Sequence, residues 1–121
     1  MNLEAIARAV TGLREVRDLL DSFAGQPDIH RAAELEGAAE KVASCAADLV
    51  DVEVPDDLQS RLAYTVKALK AAEKAAHSHR RDPLAHPLSP TRFALKTGSA
   101  RGSLQGILEI LDAAHTPPSA S

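Results

Sequence analysis

An arginine and a histidine lie five positions apart in residues 81–86, where the sequence reads RDPLAH. The imidazole of His86 can exchange a proton near neutral pH, and the guanidinium of Arg81 can hold a phosphate group. These two groups are the minimum that cleavage of RNA without a metal ion requires. Asp82 could orient either side chain through a hydrogen bond. We therefore take Arg81, Asp82 and His86 as the candidate catalytic residues.

Basic side chains are concentrated in the second half of the chain. Residues 1–60 hold 5 basic and 13 acidic side chains, whereas residues 61–121 hold 9 basic and 4 acidic ones. One explanation is a polyanionic ligand at the basic end, and the other is that acidic and basic helices pair with each other. Three basic residues before Arg81 would extend a positive surface towards substrate phosphates. These candidate RNA-binding residues are His77, His79 and Arg80.

Other kinds of site find little support in the sequence. No cysteine pair accompanies the histidines, so neither a metal nor a cofactor is predicted. Cys45 is the only cysteine and lies in an alanine-rich stretch, which indicates a small buried side chain and excludes a disulfide within the chain. The sequence starts with mixed charges instead of an apolar run, so we expect no signal peptide, no membrane span and a cytoplasmic protein.

Apolar spacing and stop signals predict four main helices. The first covers residues 3–23 and ends at the Gly-Gln-Pro of residues 25–27. The second begins with Asp28 as its N-cap and continues at helical spacing to Leu49. The stretch 51–54 alternates like a strand but is short and precedes a proline, so it is interpreted as a connection.

The second pair of helices is separated by a proline-rich connection. Asp56 or Asp57 caps the third helix, which is expected to fray over residues 77–81. The fourth helix begins with Ser89 as its N-cap and a proline at its first position, and a disordered tail follows at residues 116–121. The connection between these helices should be rigid, because proline fixes φ at three positions. They are Pro83, Pro87 and Pro90.

The core that these helices bury must be thin. Alanine is the commonest apolar residue, tryptophan is absent, and the aromatic side chains are Phe23, Tyr64 and Phe93. Helices with such small side chains must approach closely to bury much area. The predicted fold is therefore an all-α, antiparallel up-and-down bundle of four main helices, formed by residues 1–115.

Glycines recur every four residues along the fourth helix, at Gly98, Gly102 and Gly106. Each glycine costs about 1 kcal/mol relative to alanine inside a helix. Close approach of a backbone would offset that cost, either from another helix of the bundle or from the same helix of a second subunit. The alternative is that residues 96–102 form a loop and the helix starts near Ser103.

The pattern Arg-polar-x-x-x-His between the last two helices of a four-helix bundle resembles the HEPN superfamily. This resemblance implies a metal-independent ribonuclease of the toxin–antitoxin or antiviral defence type. Its active site would be shared across a symmetric homodimer, and an antitoxin protein would be a partner. His86 would act as general acid or base, and Arg81 would stabilise the charge of the transition state. The alternative is a non-enzymatic helical module for protein interaction or oligomerisation.

Overall fold

The computed structural model describes residues 3–23, 29–52, 55 and 57–115, and these residues form helices and no strand. The helices are α1 (Leu3–Asp21), a 3₁₀ helix (Ile29–Leu35), α2 (Ala38–Asp48), α3 (Leu58–Arg81) and α4 (Ser89–His115). Each α-helix packs against its neighbours in the chain, and α1 also packs against α4. The predicted all-α four-helix bundle is therefore confirmed. Within the described ranges, no helix is both long enough and apolar enough to span a bilayer.

Polar contacts between neighbouring helices show their relative directions. The contacting pairs are Lys41 with Glu15, Gln59 with Ala46, Thr65 with Ser103, and Arg14 with Asp112. In the first three pairs, a residue in the second half of one helix meets a residue in the first half of the other. Asp21 at the end of α1 pairs with Arg101 of α4, whereas the earlier Arg14 pairs with the later Asp112, so α1 and α4 also run in opposite directions. Consecutive helices are thus antiparallel, and α4 returns alongside α1.

Small side chains at the centre let the helices come close together. Each α-helix contributes an alanine that has no exposed surface: Ala9, Ala39, Ala72 and Ala100. Two aromatic rings close one end of the core, where Phe23 and Phe93 pack edge to face with 5.8 Å between ring centroids. Both rings are buried, as expected for the largest side chains of a thin core.

The prediction of one continuous second helix from Asp28 to Leu49 is wrong. A 3₁₀ helix ends at Leu35, and Gly37 then takes a left-handed backbone conformation with φ of 84° before α2 begins. Glycine adopts this conformation at little cost because it has no Cβ atom. The buried residues of the first segment recur every three positions, which matches the three residues per turn of a 3₁₀ helix. They are Ile29, Ala32 and Leu35, whereas the expected cap Asp28 lies outside the described residues.

The expected fraying of residues 77–81 is also wrong, because α3 remains helical through Arg81. The amide of Asp82 donates to the carbonyl of Ser78 at 3.1 Å and closes the last turn. Three basic side chains in that turn suit the negative end of the helix dipole. At the other end of α3, Asp57 makes no side-chain cap, and Asp56 lies outside the described residues.

Helix α4 is continuous through all three glycines, so the alternative of a loop over residues 96–102 is wrong. It starts one residue earlier than predicted, since the amide of Arg92 donates to the carbonyl of Leu88 and Ser89 lies inside the first turn. Pro90 follows within that turn, where an amide would have no partner in the helix. The expected tail at residues 116–121 lies outside the described part of the chain.

Close approach inside the bundle does not explain the glycines of α4. A Cβ atom at Gly98 or Gly102 would meet nothing within 4 Å, and one at Gly106 would lie 3.6 Å from an Arg61 nitrogen. The glycine that does permit close packing is Gly12 of α1, where a Cβ atom would lie 2.9 Å from the sulfur of Cys45. Approach of a second subunit to α4 stays a prediction.

Candidate functional site

Residues 81–86 leave the end of α3 and form the turn that leads to α4. Arg81 is the last residue of α3, and every residue from 80 to 88 is exposed to solvent. The Asp82 carboxylate accepts a hydrogen bond from the amide of Ala85 at 3.2 Å. Asp82 therefore holds the turn that leads to His86, as aspartate commonly does at such positions.

His86 lines a pocket of about 270 Å³ between α3 and α4, which we call the His86 cleft. The cleft contains no acidic side chain. Two alanines of α3 form part of its wall, and two serines bring hydroxyl groups. Its remaining members are three cations. The lining residues are Ala71, Lys74, Ala75, Ser78, His86, Ser89, Arg92 and Lys96.

Helical spacing explains how this cleft is assembled. Lys74 and Ser78 are four residues apart on α3, and Arg92 and Lys96 are four residues apart on α4, so each pair shares one face of its helix. Because α3 and α4 are antiparallel, the end of one face meets the beginning of the other. The short connection then places His86 at the mouth between them.

Arg81 is not part of the wall of the His86 cleft. It lies seven residues after Lys74, hence on the same side of α3 and about 10 Å further along the helix axis. Within a single chain, the structure therefore gathers His86 with Lys74, Arg92 and Lys96, whereas Arg81 stands at the end of the helix beyond them.

A stripe of basic side chains covers the solvent face of α3. Its members, which we call the α3 stripe, are Lys67, Lys70, Lys74, His77 and Arg81, and all five are exposed. Their alternating spacings of three and four residues place them within an arc of about 80° around the helix axis. The only acidic residue of α3, Glu73, lies outside this arc. The stripe thus presents one sign of charge along most of the helix.

Cations outside this region are mostly ion-paired, with Arg8 of α1 as the exception among the described residues. In the rest of the bundle, ion pairs join Arg14 to Asp112, Arg17 to Asp18, Arg31 to Glu34, Lys41 to Glu15, Arg61 to Asp57, and Arg101 to Asp21. Among the residues that the structure describes, seven cations of α3 and early α4 form no ion pair. They are Lys67, Lys70, Lys74, Arg80, Arg81, Arg92 and Lys96. Pairing between acidic and basic helices therefore accounts for contacts such as those of α1 with α4, but not for the charge of α3.

The three candidate RNA-binding residues do not share one surface. His77 and Arg80 line a second pocket of about 320 Å³ between the 3₁₀ helix and α3, which we call the Glu73 pocket. Its other lining residues are Ala32, Ala33, Glu36, Glu73 and Ala76. His79 instead packs edge-on against His30, with 5.8 Å between the ring centroids. The Nδ1 atom of His79 is buried and has no hydrogen-bond partner among the described residues.

Two titratable side chains have shifted pKa values. Burial raises the pKa of the Cys45 thiol, and the nearby carboxylate of Asp48 raises it further, so the thiol is a poor nucleophile. Burial also raises the pKa of Glu73, with additional contributions from Glu40 and then Glu36, whereas Lys70 acts in the opposite direction. In the described part of the chain, no group of three or more histidine, cysteine or carboxylate side chains is placed to hold a metal ion.

Reasoning from the sequence alone missed the three cations of the His86 cleft. Lys74, Arg92 and Lys96 lie outside the Arg–His segment, and each looks like an ordinary exposed residue of an amphipathic helix. A weak signal was present, because Lys74 lies about two turns before the end of α3 and Lys96 lies about two turns after the start of α4. Antiparallel helices joined by a short connection bring such residues to the same end of the hairpin.

No protein-family model matches this chain, and searches of curated proteins and of solved structures gave no match. The resemblance to the HEPN superfamily therefore rests on helix order and on residues 81–86 alone. Function has to be argued from the chemistry of the site itself.

Proposed function

We propose that the α3–α4 hairpin binds RNA and cleaves it without a metal ion, with His86 as the group that transfers protons. The observation that carries this proposal is the set of unpaired cations on α3 and early α4, three of which share a cleft with His86. Like charges held close together without counterions repel each other and weaken the fold. A polyanion bound along the hairpin would remove that repulsion.

Binding of one phosphate in the His86 cleft accounts for most of its polar lining. Lys74 supplies positive charge from α3, and Arg92 and Lys96 supply it from α4. The guanidinium of Arg92 can hold two phosphate oxygens at once. The neighbouring phosphates of the same strand would follow the α3 stripe towards Arg81. Aromatic side chains for stacking are scarce on this face, so affinity would come mainly from phosphate contacts and depend strongly on salt.

Cleavage would use the 2′-hydroxyl of the bound RNA as its nucleophile. The 2′-oxygen attacks phosphorus while its proton passes to neutral His86. The bond from phosphorus to the 5′-oxygen then breaks, and the leaving oxygen takes the proton back from the imidazolium. The products are a 2′,3′-cyclic phosphate and a 5′-hydroxyl end. Arg92 lies in the same cleft and would stabilise the charge of the transition state.

Arg81 has a different part in this proposal from the one that the resemblance implies. Within one chain it is placed to hold a neighbouring phosphate, since it stands on the α3 stripe beyond the cleft. A homodimer that met at the hairpins would add the partner's Arg81 to the cleft, which is the composite arrangement expected from the HEPN resemblance. Arg81→Ala should therefore weaken RNA binding in either case, and should also slow cleavage of bound RNA if the site is composite.

The proposal is tested with labelled single-stranded RNA in the presence of EDTA. We expect cleavage by the unmodified chain, and His86→Ala should slow it by about 100-fold or more, the usual size of a general acid–base contribution. Helicity and RNA affinity should change little, because His86 is exposed and makes no packing contact in the core. Leu84→Ala is the matched control, since Leu84 is exposed in the same connection but does not line the cleft.

Two results would contradict cleavage at this site. One is full activity of His86→Ala, which would point to a contaminating nuclease or to another site. The other is cleavage of RNA whose 2′-hydroxyls are methylated, because the proposed reaction needs that oxygen as nucleophile. Absence of cleavage together with tight, salt-sensitive binding would leave an RNA-binding protein and exclude the enzyme.

A further inference from the structure

A wide pocket lies between the first turns of α3 and the middle of α4, and we call it the Tyr64 pocket. Its volume of about 600 Å³ is in the range of pockets that bind small molecules. Three serines line part of it, and its other lining residues are Asp57, Arg61, Tyr64, Gly98 and Gly102. Tyr64 lies seven residues before Ala71 of the His86 cleft, hence on the same side of α3 and about 10 Å away along the helix axis. One groove between α3 and α4 therefore contains both sites.

The ring of Tyr64 is open to a ligand. Its side chain is exposed, whereas the rings of Phe23 and Phe93 are buried in the core. The Tyr64 ring contacts no other ring or cation, and its hydroxyl forms no hydrogen bond, among the residues that the structure describes. An exposed aromatic ring that borders a pocket offers a flat face on which another flat ring can stack.

Across the groove from Tyr64, the pocket is lined by bare helix backbone. Gly98 and Gly102 stand there, and a Cβ atom at either position would meet nothing within 4 Å. Packing inside the bundle therefore does not require these glycines, although glycine is a poor residue for the interior of a helix. A flat ligand that lies against the backbone would require them, because larger side chains at these positions would fill the pocket.

Charge around the pocket favours a neutral group inside it and an anion beside it. The two charged residues that line it neutralise each other, since the Arg61 guanidinium pairs with the Asp57 carboxylate at 2.9 Å. Lys67 follows Tyr64 by three residues, is exposed, and has no ion-pair partner among the described residues. A neutral flat ring attached to a phosphate has both of these features, and a nucleotide is such a molecule.

We propose that the Tyr64 pocket binds one base of an RNA strand whose phosphates follow the α3 stripe. The base stacks on Tyr64 and lies against the backbone of Gly98 and Gly102. This inference rests on the proposed function and adds a base-binding subsite to it. Every base has a π face, so the pocket accepts different bases. A paired duplex keeps its bases stacked inside, so the pocket would make the hairpin selective for single-stranded RNA.

The test uses the fluorescence of Tyr64 and an RNA that the proposed reaction cannot cleave. Tyr64 is the only tyrosine of the chain and tryptophan is absent, so intrinsic fluorescence reports this one ring. A short 2′-O-methylated adenosine oligonucleotide should quench it and bind about 10-fold more tightly than an abasic oligonucleotide with the same phosphates. Equal affinity of the two oligonucleotides, or unchanged fluorescence on binding, would overturn the proposal.

Replacement of the ring assigns this difference to Tyr64. Tyr64→Leu should bring the affinity for the adenosine oligonucleotide down to that for the abasic one, as measured by anisotropy of an end label. Tyr64→Phe is the matched control, because phenylalanine keeps the ring and should keep the difference. Persistence of the full difference in Tyr64→Leu would exclude Tyr64 as the stacking group.

A substitution on the other wall tests the pocket while Tyr64 stays in place. Gly102→Leu should abolish the base-dependent part of the affinity, because the leucine occupies the space of the base. Its fold should be intact, since a Cβ atom at this position meets nothing and leucine favours a helix. Gln105→Leu is the matched control, because Gln105 is exposed on the same helix outside the pocket. If Gly102→Leu converted a dimer into a monomer and kept the base-dependent affinity, the glycines would serve a second subunit and the proposal would be wrong.

Failure of this proposal can be told apart from failure of the proposed ribonuclease. His86→Ala should show the same base-dependent binding and Tyr64 quenching as the unmodified chain while losing cleavage of ordinary RNA. Quenching by the adenosine oligonucleotide without any cleavage of ordinary RNA would contradict the ribonuclease and keep the base site. Cleavage that depends on His86 without quenching would do the reverse.

Discussion

The pair α1–α2 and the pair α3–α4 are both antiparallel helix pairs, but they differ in whether the cations between their helices form ion pairs. In the first pair, the acid Glu15 holds Lys41 of the facing helix, and Gly12 lets the backbone approach Cys45 closely. In the second pair, the cations around the His86 cleft have no counterion among the described residues. The cation between the first two helices thus has a partner, whereas the three cations of the His86 cleft have none.

The α3–α4 side therefore carries features that lower stability. Unpaired like charges and a buried acceptor without a donor both weaken a fold. Proteins usually depart from such local consistency at functional sites. These features support the proposal that the α3–α4 side carries the functional site and that α1 and α2 serve as its scaffold.

The largest expected effect concerns RNA affinity. Replacement of Lys74, Arg92 and Lys96 by alanine together should weaken RNA binding by about 10-fold or more at moderate salt. The slope of log affinity against log salt concentration should become shallower by about 2, the value expected for three phosphate contacts with a single strand. Fluorescence anisotropy across a salt series measures both quantities. The matched control replaces Arg14, Arg17 and Lys41, which removes the same charge from ion-paired positions. Equal effects of the two triple variants would mean that only net charge matters, and the comparison would fail.

The next largest effect concerns the stability of the protein when the close packing at Gly12 is disturbed. Gly12→Ala should destabilise the protein by about 1 kcal/mol or more, because overpacking outweighs the helix propensity that alanine gains. Removal of the opposing sulfur in Cys45→Ala should restore part of this loss when the two substitutions are combined. Thermal or urea unfolding followed by circular dichroism measures both.

Gly98→Ala is the counterpart on α4 and should have the opposite sign. Nothing lies within 4 Å of a Cβ atom at this position, so alanine should stabilise the helix by about 1 kcal/mol. Destabilisation of the protein by Gly98→Ala would indicate that another chain already occupies the space above this glycine, as the second-subunit explanation of the glycine repeat requires.

The smallest effect concerns the stability cost of Glu73. The raised pKa of the Glu73 carboxyl means that the folded state favours its protonated form. The group therefore stabilises the fold at pH values below its ordinary pKa of 4.5, and this contribution is lost as the pH rises through the raised pKa. Glu73→Gln should therefore raise the melting temperature at pH 7 but not at pH 4. The change should stay under about 1 kcal/mol because water screens a partly exposed charge. A lower melting temperature at pH 7 would show that the carboxylate has a stabilising partner.

The fold could be predicted from the sequence further than the site could. Apolar spacing, with Pro83 and Pro87 as a clear stop, indicated the number and order of the helices. The break at Gly37 was missed because alanines on both sides of it satisfy helical spacing. The continuation of α3 to Arg81 was not predicted because residues 77–81 lack apolar side chains. Only the cationic last turn indicates that the helix continues.

The composition of the His86 cleft was harder to predict for a physical reason. His86 was singled out by its chemistry, but its neighbours Lys74 and Lys96 are 22 residues apart in the sequence. Whether they meet depends on how two antiparallel helices slide past each other, and that register is set by core packing. The pattern of one helix does not contain this information. The orphaned oxygen of Glu73 likewise becomes visible only once the 3₁₀ helix is placed against α3.

Because Cys45 is packed against Gly12 of α1, the reactivity of its thiol reports local opening of the bundle. Cys45 is the only thiol in the chain and is buried against α1, so a maleimide can react with it only after α1 and α2 separate. When the maleimide reacts faster than the helices close again, the labelling rate equals the rate of these separations, and no denaturant is needed. RNA held on α3 and α4 would leave this rate almost unchanged if the two halves open independently, and would slow it if the bundle opens as one unit.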